Sequence, residues 1–151
     1  MLLFAYGSNM AASEMEAFCP RHEFLGPARL DGFRLELRRR SRRWGGGAAD
    51  IVAAPGEAAW GALYEVDGSE LDRLDAKEGA GLAYRRRAVE VRLGGEARAA
   101  AAYEVTEKEP QEVRPTPEYA QLLLAGARER GLPAAYVATL GERLSAVAGA
   151  R

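Results

Sequence analysis

Several reactive residue types are almost absent from this 151-residue chain. Cys19 is the only cysteine and His22 the only histidine. A single cysteine cannot form an internal disulfide, which favours a cytoplasmic setting. A single histidine excludes multi-histidine metal sites and Cys/His zinc sites, while a Ser-His-Asp triad built on His22 stays conceivable. We therefore expect acid–base chemistry to depend on carboxylates or tyrosines, with no metal.

The chain also lacks long apolar runs and a large excess of either charge. No segment approaches the roughly 20 apolar residues of a membrane span, and the start has no basic region of the kind found in signal peptides. The formal net charge is −1, so neither a membrane nor a nucleic acid is expected as a partner. The length predicts a single domain over residues 1–151, and the oligomeric state stays open.

Short apolar and alternating segments predict about six strands. The run "LLFAY" is typical of a buried strand, and Phe33, Leu35 and Leu37 alternate with polar residues in a second. The segments "AADIVAA" and "AAWGALYEV" predict two strands around the turn "PGE", and Gly94-Gly95 predicts a hairpin between two more. We expect an α+β protein with a largely antiparallel or mixed sheet, a pattern compatible with closure into a barrel.

Four helices are predicted from start and stop signals. Ser13 and Glu16 have capping-box spacing, which places the first helix start at Ser13. Glycines past the last periodic residue end the second and third helices. The predicted helices run from Ser13 to Phe18, from about Ser69 to Glu78 before Gly79, from just after Pro117 to Gly131, and from about Ala134 to Ala148.

The second helix carries a candidate acid–base residue. Leu71, Leu74 and Glu78 are spaced i, i+3 and i+7, so they share one face of the helix. The leucines are expected to face the core, and Glu78 should follow them inward. Burial and the negative end of the helix dipole both disfavour a charged carboxylate there, which suits proton exchange near neutral pH. The alternative is a helix-end glutamate that leans toward solvent or toward the arginines at 85–87.

The turn after the first strand is the second candidate. It contains Tyr6, Gly7, Ser8 and Asn9, and Asn9 is the only asparagine of the chain. A glycine-containing turn at a strand end presents backbone N–H groups that hold a carboxylate or an oxyanion. The alternative is an ordinary turn followed by a helix cap.

Taken together, these stretches resemble the γ-glutamylcyclotransferase family. The order "FAYGSNM", "GGAADIVAAPGEAAWGALYEV", "LDAKEG" and "PTPEYAQLLLAGARERGLPAAY" matches that family from Phe4 to about Tyr136. The resemblance implies a small mixed barrel, Glu78 as the catalytic acid–base residue, and release of 5-oxoproline from γ-glutamyl compounds without a cofactor. It implies substrate-binding roles for Ala5, Tyr6, Gly7, Ser8, Asn9, Tyr103 and Tyr119.

The resemblance leaves the substrate's amine open. The loop after Gly79 is shorter than in the fuller eukaryotic pattern, and it lies near the expected leaving group. A γ-glutamyl amino acid or peptide is the first expectation, and a γ-glutamylamine is the alternative. A non-catalytic small-ligand module with the same fold is a further reading.

An arginine run supports a rival reading. Five arginines lie between Arg38 and Arg43, followed by Trp44. A basic run beside an aromatic residue is compatible with RNA binding. The favoured interpretation is a solvated strand end and loop.

Overall fold

The computed structural model describes residues 1–78 and 83–149. The strands of this part of the chain are β1 (Leu2–Ala5), β2 (Glu23–Ser41), β3 (Gly46–Glu65), β4 (Tyr84–Leu93) and β5 (Glu96–Val105). They form a closed barrel at its centre, with the strand order β1-β3-β2-β4-β5. Strand β1 is parallel to β5, and every other neighbouring pair is antiparallel. The mixed, largely antiparallel barrel is therefore confirmed.

The strand count is five because the two strands predicted around "PGE" are one. Strand β3 pairs with β2 on both sides of that segment, with Asp31 opposite Ala58 and Phe33 opposite Ala53. The intervening residues bulge out of the ladder, and Gly56 there has a φ of +83°. A bulge accommodates Pro55, which cannot donate to a sheet ladder, without ending the strand.

In the described part of the chain, four helices pack around the barrel. They are α1 (Ala12–Phe18), α2 (Gly68–Glu78), α3 (Pro117–Glu129) and α4 (Ala134–Gly149). The predicted capping box at Ser13 is wrong. The N-cap is Ala11, without a side-chain cap, because the 3₁₀ turn Ser8–Met10 delivers the chain to Ala11 in an extended conformation.

The other helix signals agree better with the structure. Helix α3 begins at Pro117 itself, and the Thr116 hydroxyl accepts a hydrogen bond from the Tyr119 N–H. Gly131, with a φ of +71°, follows its end. The predicted stop at Gly79 lies outside the described residues. None of the described helices combines the length and apolar character needed to cross a membrane.

The core fills the barrel and the space beneath the helices. Leu71 and Leu74 of α2 are fully buried, as their spacing predicted. The buried Phe4 of β1 and Tyr64 of β3 belong to the same cluster. Since α2 buries this face, its last residue, Glu78, is brought to the end of the barrel where β1 also ends.

Candidate functional site

A cavity opens at the end of β1. Every residue predicted for the site lines it: the catalytic candidate of α2, the turn after β1, and the tyrosines of β5 and α3. Among residues 1–78 and 83–149, the wall consists of Leu3, Phe4, Ala5, Tyr6, Gly7, Ser8, Asn9, Ala49, Glu78, Tyr84, Tyr103 and Tyr119.

The turn after β1 is held in place from below. The Tyr64 hydroxyl donates to the Asn9 carbonyl oxygen at 2.7 Å, and Arg130 Nε donates to the Met10 carbonyl oxygen at 3.0 Å. A Cβ on Gly7 would lie 3.1 Å from the Ala49 Cβ. The absence of a side chain at Gly7 therefore keeps the cavity open beside its backbone.

Glu78 faces this turn. Asn9 Nδ2 donates to Glu78 Oε1 at 2.9 Å, although the two residues are 69 positions apart in sequence. The Glu78 side chain is only 13% exposed, and Lys77 Nζ lies 3.8 Å from the same oxygen. The structure thus excludes the alternative in which Glu78 leans into solvent. The Asn9 amide and the Lys77 ammonium both stabilise the Glu78 carboxylate, whereas burial and the helix dipole disfavour its charge.

Four tyrosine hydroxyl groups line the cavity, and three are donors to protein oxygens. Tyr6 donates to the Tyr103 carbonyl, Tyr84 donates to the Ala49 carbonyl at 2.9 Å, and Tyr103 donates to Asp75 at 2.6 Å. The Tyr119 oxygen instead accepts the Ala49 N–H at 2.8 Å. Among the four tyrosine hydroxyls of the wall, its own proton is therefore the one available to a ligand.

Burial keeps these phenols neutral. Desolvation raises the pKa of Tyr6 and Tyr84 well above the ordinary value, and the pKa values of Tyr103 and Tyr119 are raised for the same leading reason. The cavity thus offers O–H groups rather than phenolates at physiological pH.

Sequence reasoning missed Tyr84, Ala49 and Lys77. Tyr84 is the first residue of β4. The sequence feature that could have identified it is an aromatic residue at the start of the basic segment "YRRR". Ala49 contributes its backbone N–H and carbonyl groups, and the residue type does not indicate that these groups line a site. Lys77 is adjacent to the catalytic candidate, and a surface role is the usual expectation for a lysine.

An outer compartment adjoins the cavity and shares four of its wall residues. The arginine run forms much of its other side. The shared residues are Ser8, Glu78, Tyr84 and Tyr119, and the remaining wall is Arg39, Arg40, Ser41, Arg42, Arg43, Trp44, Lys77, Ala48 and Ala83.

The arginine run is more than the solvated edge that the sequence favoured. Arg38 Nε pairs with the buried carboxylate of Glu36 at 2.6 Å. The Arg43 guanidinium pairs with Glu14 at 2.8 Å. The Arg39 guanidinium lies 5.7 Å from the centre of the Tyr84 ring. Specific partners therefore hold parts of this run beside the outer compartment.

The remaining reactive side chains lie elsewhere. Cys19 is buried beneath α1, where desolvation raises the pKa of its thiol to about 11. His22 contacts the Cys19 carbonyl oxygen through Nδ1 and packs edge-on against Tyr64. Within residues 1–78 and 83–149, no three histidine, cysteine or acidic side chains are grouped closely enough to hold a metal ion.

Comparison with known proteins gives consistent matches. Residues 58–140 match the AIG2-like family. Gamma-glutamylcyclotransferase from Bos taurus is 33% identical over 141 residues, which is 89% of this chain and 74% of the bovine protein. The Homo sapiens protein of the same name is 33% identical over 144 residues, with the same shares. A solved structure of a gamma-glutamyl cyclotransferase has a TM-score of 0.87 at 32% identity, covering 93% of this chain and 85% of that one.

Proposed function

The chain belongs to the γ-glutamylcyclotransferase-type, AIG2-like family, and on this basis we propose that it converts a γ-glutamyl amide to 5-oxoproline and a free amine. The observation that carries the proposal is the position of Glu78, whose carboxylate meets Asn9 of the turn after β1 in one cavity. An acid–base group and an anion-binding turn are the two parts that this reaction requires.

The proposed reaction uses an intramolecular nucleophile. The α-amine of the substrate forms a bond to its own γ-carbonyl carbon, and the bond from that carbon to the leaving nitrogen then breaks. Ring closure in a bound, folded substrate draws on an effective molarity on the order of 10⁵ M or more. The protein therefore needs no serine or cysteine nucleophile and no metal or organic cofactor.

Glu78 is assigned the proton transfers. Its carboxylate removes a proton from the α-ammonium group, and the resulting carboxylic acid protonates the departing amine. Its Oε1 is held by Asn9, so Oε2 is the oxygen that we assign to the proton. The catalytic base is regenerated when the leaving amine receives that proton.

The turn and the tyrosines are assigned the charged and polar parts of the substrate. Backbone N–H groups around Gly7 and Ser8 would hold the α-carboxylate or the developing oxyanion. The free proton of the Tyr119 hydroxyl would be a further donor. Tyr103 is assigned a wall role, because its hydroxyl is engaged with Asp75.

The outer compartment favours an acidic leaving group. Several arginines line it next to Glu78, and a carboxylate is the group that arginine recognises best. We therefore favour a γ-glutamyl amino acid or peptide over a γ-glutamylamine, whose leaving amine carries no carboxylate. Release of 5-oxoproline should be faster from γ-glutamylalanine than from γ-glutamylethylamine, and the reverse order would favour the alternative substrate.

The variant Glu78→Gln tests the proposal. Glutamine removes the base but keeps the shape of the glutamate side chain and an oxygen that accepts the hydrogen bond from Asn9 Nδ2. We expect kcat for 5-oxoproline release to fall by about 10²- to 10⁴-fold, with KM and thermal stability close to the parent values. Glu90→Gln, an exposed change on β4, is the matched control and should leave activity unchanged.

Two results would contradict the proposal. Turnover of Glu78→Gln within a few-fold of the parent would remove the acid–base role. A parent protein that binds γ-glutamyl compounds without releasing 5-oxoproline would favour the non-catalytic module instead.

The RNA-binding reading has its own test. Tight, sequence-selective RNA binding at physiological salt would support the rival role of residues 38–43.

A further inference from the structure

Lys77 is a buried lysine beside the cavity. Its side chain is 4% exposed, and lysines are rarely found so deeply buried without specific partners. Its ammonium group donates to Asn9 Oδ1 and lies 2.9 Å from Glu14 Oε1. It also lies 5.1 Å from the centre of the Phe18 ring. The ammonium group is thus fixed by contacts with α1 and with the turn after β1.

The contact with Asn9 decides which way the Asn9 amide faces. An ammonium group has donors only, so it requires the amide oxygen. The amide nitrogen is then left to face Glu78 Oε1, where it donates at 2.9 Å. The reversed amide would place its oxygen against a carboxylate and its nitrogen against an ammonium group, and both contacts would be repulsive.

Glu14 and Arg43 complete the cluster. The Glu14 side chain is 12% exposed, and its Oε1 lies 2.9 Å from the Lys77 ammonium and 2.8 Å from the Arg43 guanidinium. Two carboxylates, Glu14 and Glu78, are therefore balanced by two cations. This balance holds the lysine in place, since a buried ammonium group is stable only where its charge is compensated.

We propose that Lys77 is a positioning residue, which orients the Asn9 amide so that Glu78 Oε1 is anchored and Oε2 is presented to the substrate. This inference rests on the proposed role of Glu78. It assigns Lys77 no contact with the reacting atoms. Its effect on turnover should therefore pass through Asn9, and this route can be tested.

The kinetic test is a double-mutant cycle on release of 5-oxoproline. We expect Lys77→Met to lower kcat by about 10- to 100-fold and to leave KM within about three-fold of the parent. Losses of this size are common when a residue that supports an active-site group is replaced. In the Asn9→Ala background the same change should cost less than about two-fold, because the route is already broken. Multiplicative losses in the double variant would overturn the inference, as would a kcat for Lys77→Met within two-fold of the parent.

Lys77→Gln separates orientation from charge. Glutamine keeps a neutral N–H donor for the Asn9 oxygen, so this variant should retain kcat within about five-fold of the parent. A loss equal to that of Lys77→Met would show that the charge, rather than the amide orientation, carries the effect, and would overturn the inference. Arg73→Met is the control, since it removes an exposed cation one turn earlier on the same helix.

A second readout does not depend on catalysis. Asn9 is the only asparagine, so selective labelling with ¹⁵N-asparagine gives one side-chain amide pair in the NMR spectrum of the full chain. We expect its exchange with water to quicken about ten-fold or more in Lys77→Met and to stay unchanged in Lys77→Gln and Arg73→Met. An unchanged amide pair in Lys77→Met would overturn the inference. Protection of the amide in a parent that released no 5-oxoproline would instead support the amide orientation and contradict the proposed function.

Discussion

Tyr103 and Tyr119 line the same cavity but use their hydroxyl groups differently. Tyr103 donates to Asp75, which also pairs with Arg86. Tyr119 accepts a backbone N–H from Ala49, which leaves its own proton available for donation. Family resemblance implied similar roles for both tyrosines. The hydrogen-bond partners give Tyr119 the stronger claim to a substrate contact.

A single methyl group at Gly7 should impair the site without unfolding the protein. A Cβ at Gly7 would lie 3.1 Å from the Ala49 Cβ and 3.8 Å from the Tyr119 hydroxyl oxygen, so it would occupy space beside the turn. We expect Gly7→Ala to lower kcat/KM for γ-glutamyl substrates by about ten-fold or more, equivalent to roughly 1.4 kcal/mol. Thermal unfolding and steady-state kinetics provide the measurements.

Gly149→Ala is the control for the Gly7 variant. A Cβ at Gly149 would meet open space, so this change should leave kcat/KM unaltered. Unchanged kinetics in Gly7→Ala would mean that substrate does not approach this part of the turn.

Helix α3 and the 3₁₀ turn Ser8–Met10 form two sides of the site. Gly126 lets them approach, because a Cβ there would lie 2.8 Å from the Ala11 backbone nitrogen and 3.0 Å from the Met10 carbonyl carbon. The same helix carries Tyr119, and the turn carries Asn9. Their packing therefore sets the width of the cavity between them.

The same substitution should have opposite effects in α3 and α4. Gly126→Ala forces backbone apart and should lower the free energy of unfolding by about 1–3 kcal/mol. Gly141→Ala adds a Cβ only 3.7 Å from Leu124 Cδ2, an ordinary contact, and should raise it by about 0.5–1 kcal/mol through helix propensity. Denaturant unfolding measures both, and a neutral or stabilising Gly126→Ala would contradict this packing.

At the scale of the whole molecule, tyrosine burial is general. Desolvation raises the pKa of all six tyrosines, and that of Tyr64 reaches about 12 despite the opposing effect of Arg130. Buried tyrosines are therefore found both in the barrel and in the helices around it, so their ionisation reports on the entire fold.

The native protein should show little tyrosinate near pH 10, the ordinary tyrosine pKa. The unfolded chain loses its phenolic protons first, so the free energy of unfolding should be unaffected below that pH and should fall as the pH rises above about 10. Near-ultraviolet absorbance should reveal tyrosinate only as circular dichroism reports unfolding. Protein in denaturant is the control, with titration near pH 10. Half-titration of the tyrosines at that pH in a folded sample would contradict the burial.

The sequence by itself determined the features that depend on neighbours along the chain. Gly94 and Gly95 have positive φ angles of 57° and 87°, as the hairpin signal predicted. The spacing of Leu71, Leu74 and Glu78 indicated the inward face of α2. Family resemblance supplied Tyr103 and Tyr119 of the wall, but neither Tyr84 nor Ala49. The hairpin signal and the helix spacing each depend on residues that are close together in the sequence.

Only the tertiary structure decided the features that depend on distant partners. Pairing with β2 on both sides carries β3 through the Pro55-Gly56 segment, where local turn chemistry predicted an end. The 3₁₀ turn moved the start of α1 to Ala12, away from the Ser13 capping signal. The burial of Lys77 arises from contact with Asn9, 68 positions away. A long-range contact forms only when barrel closure brings its partners together, and local propensity carries no record of that closure.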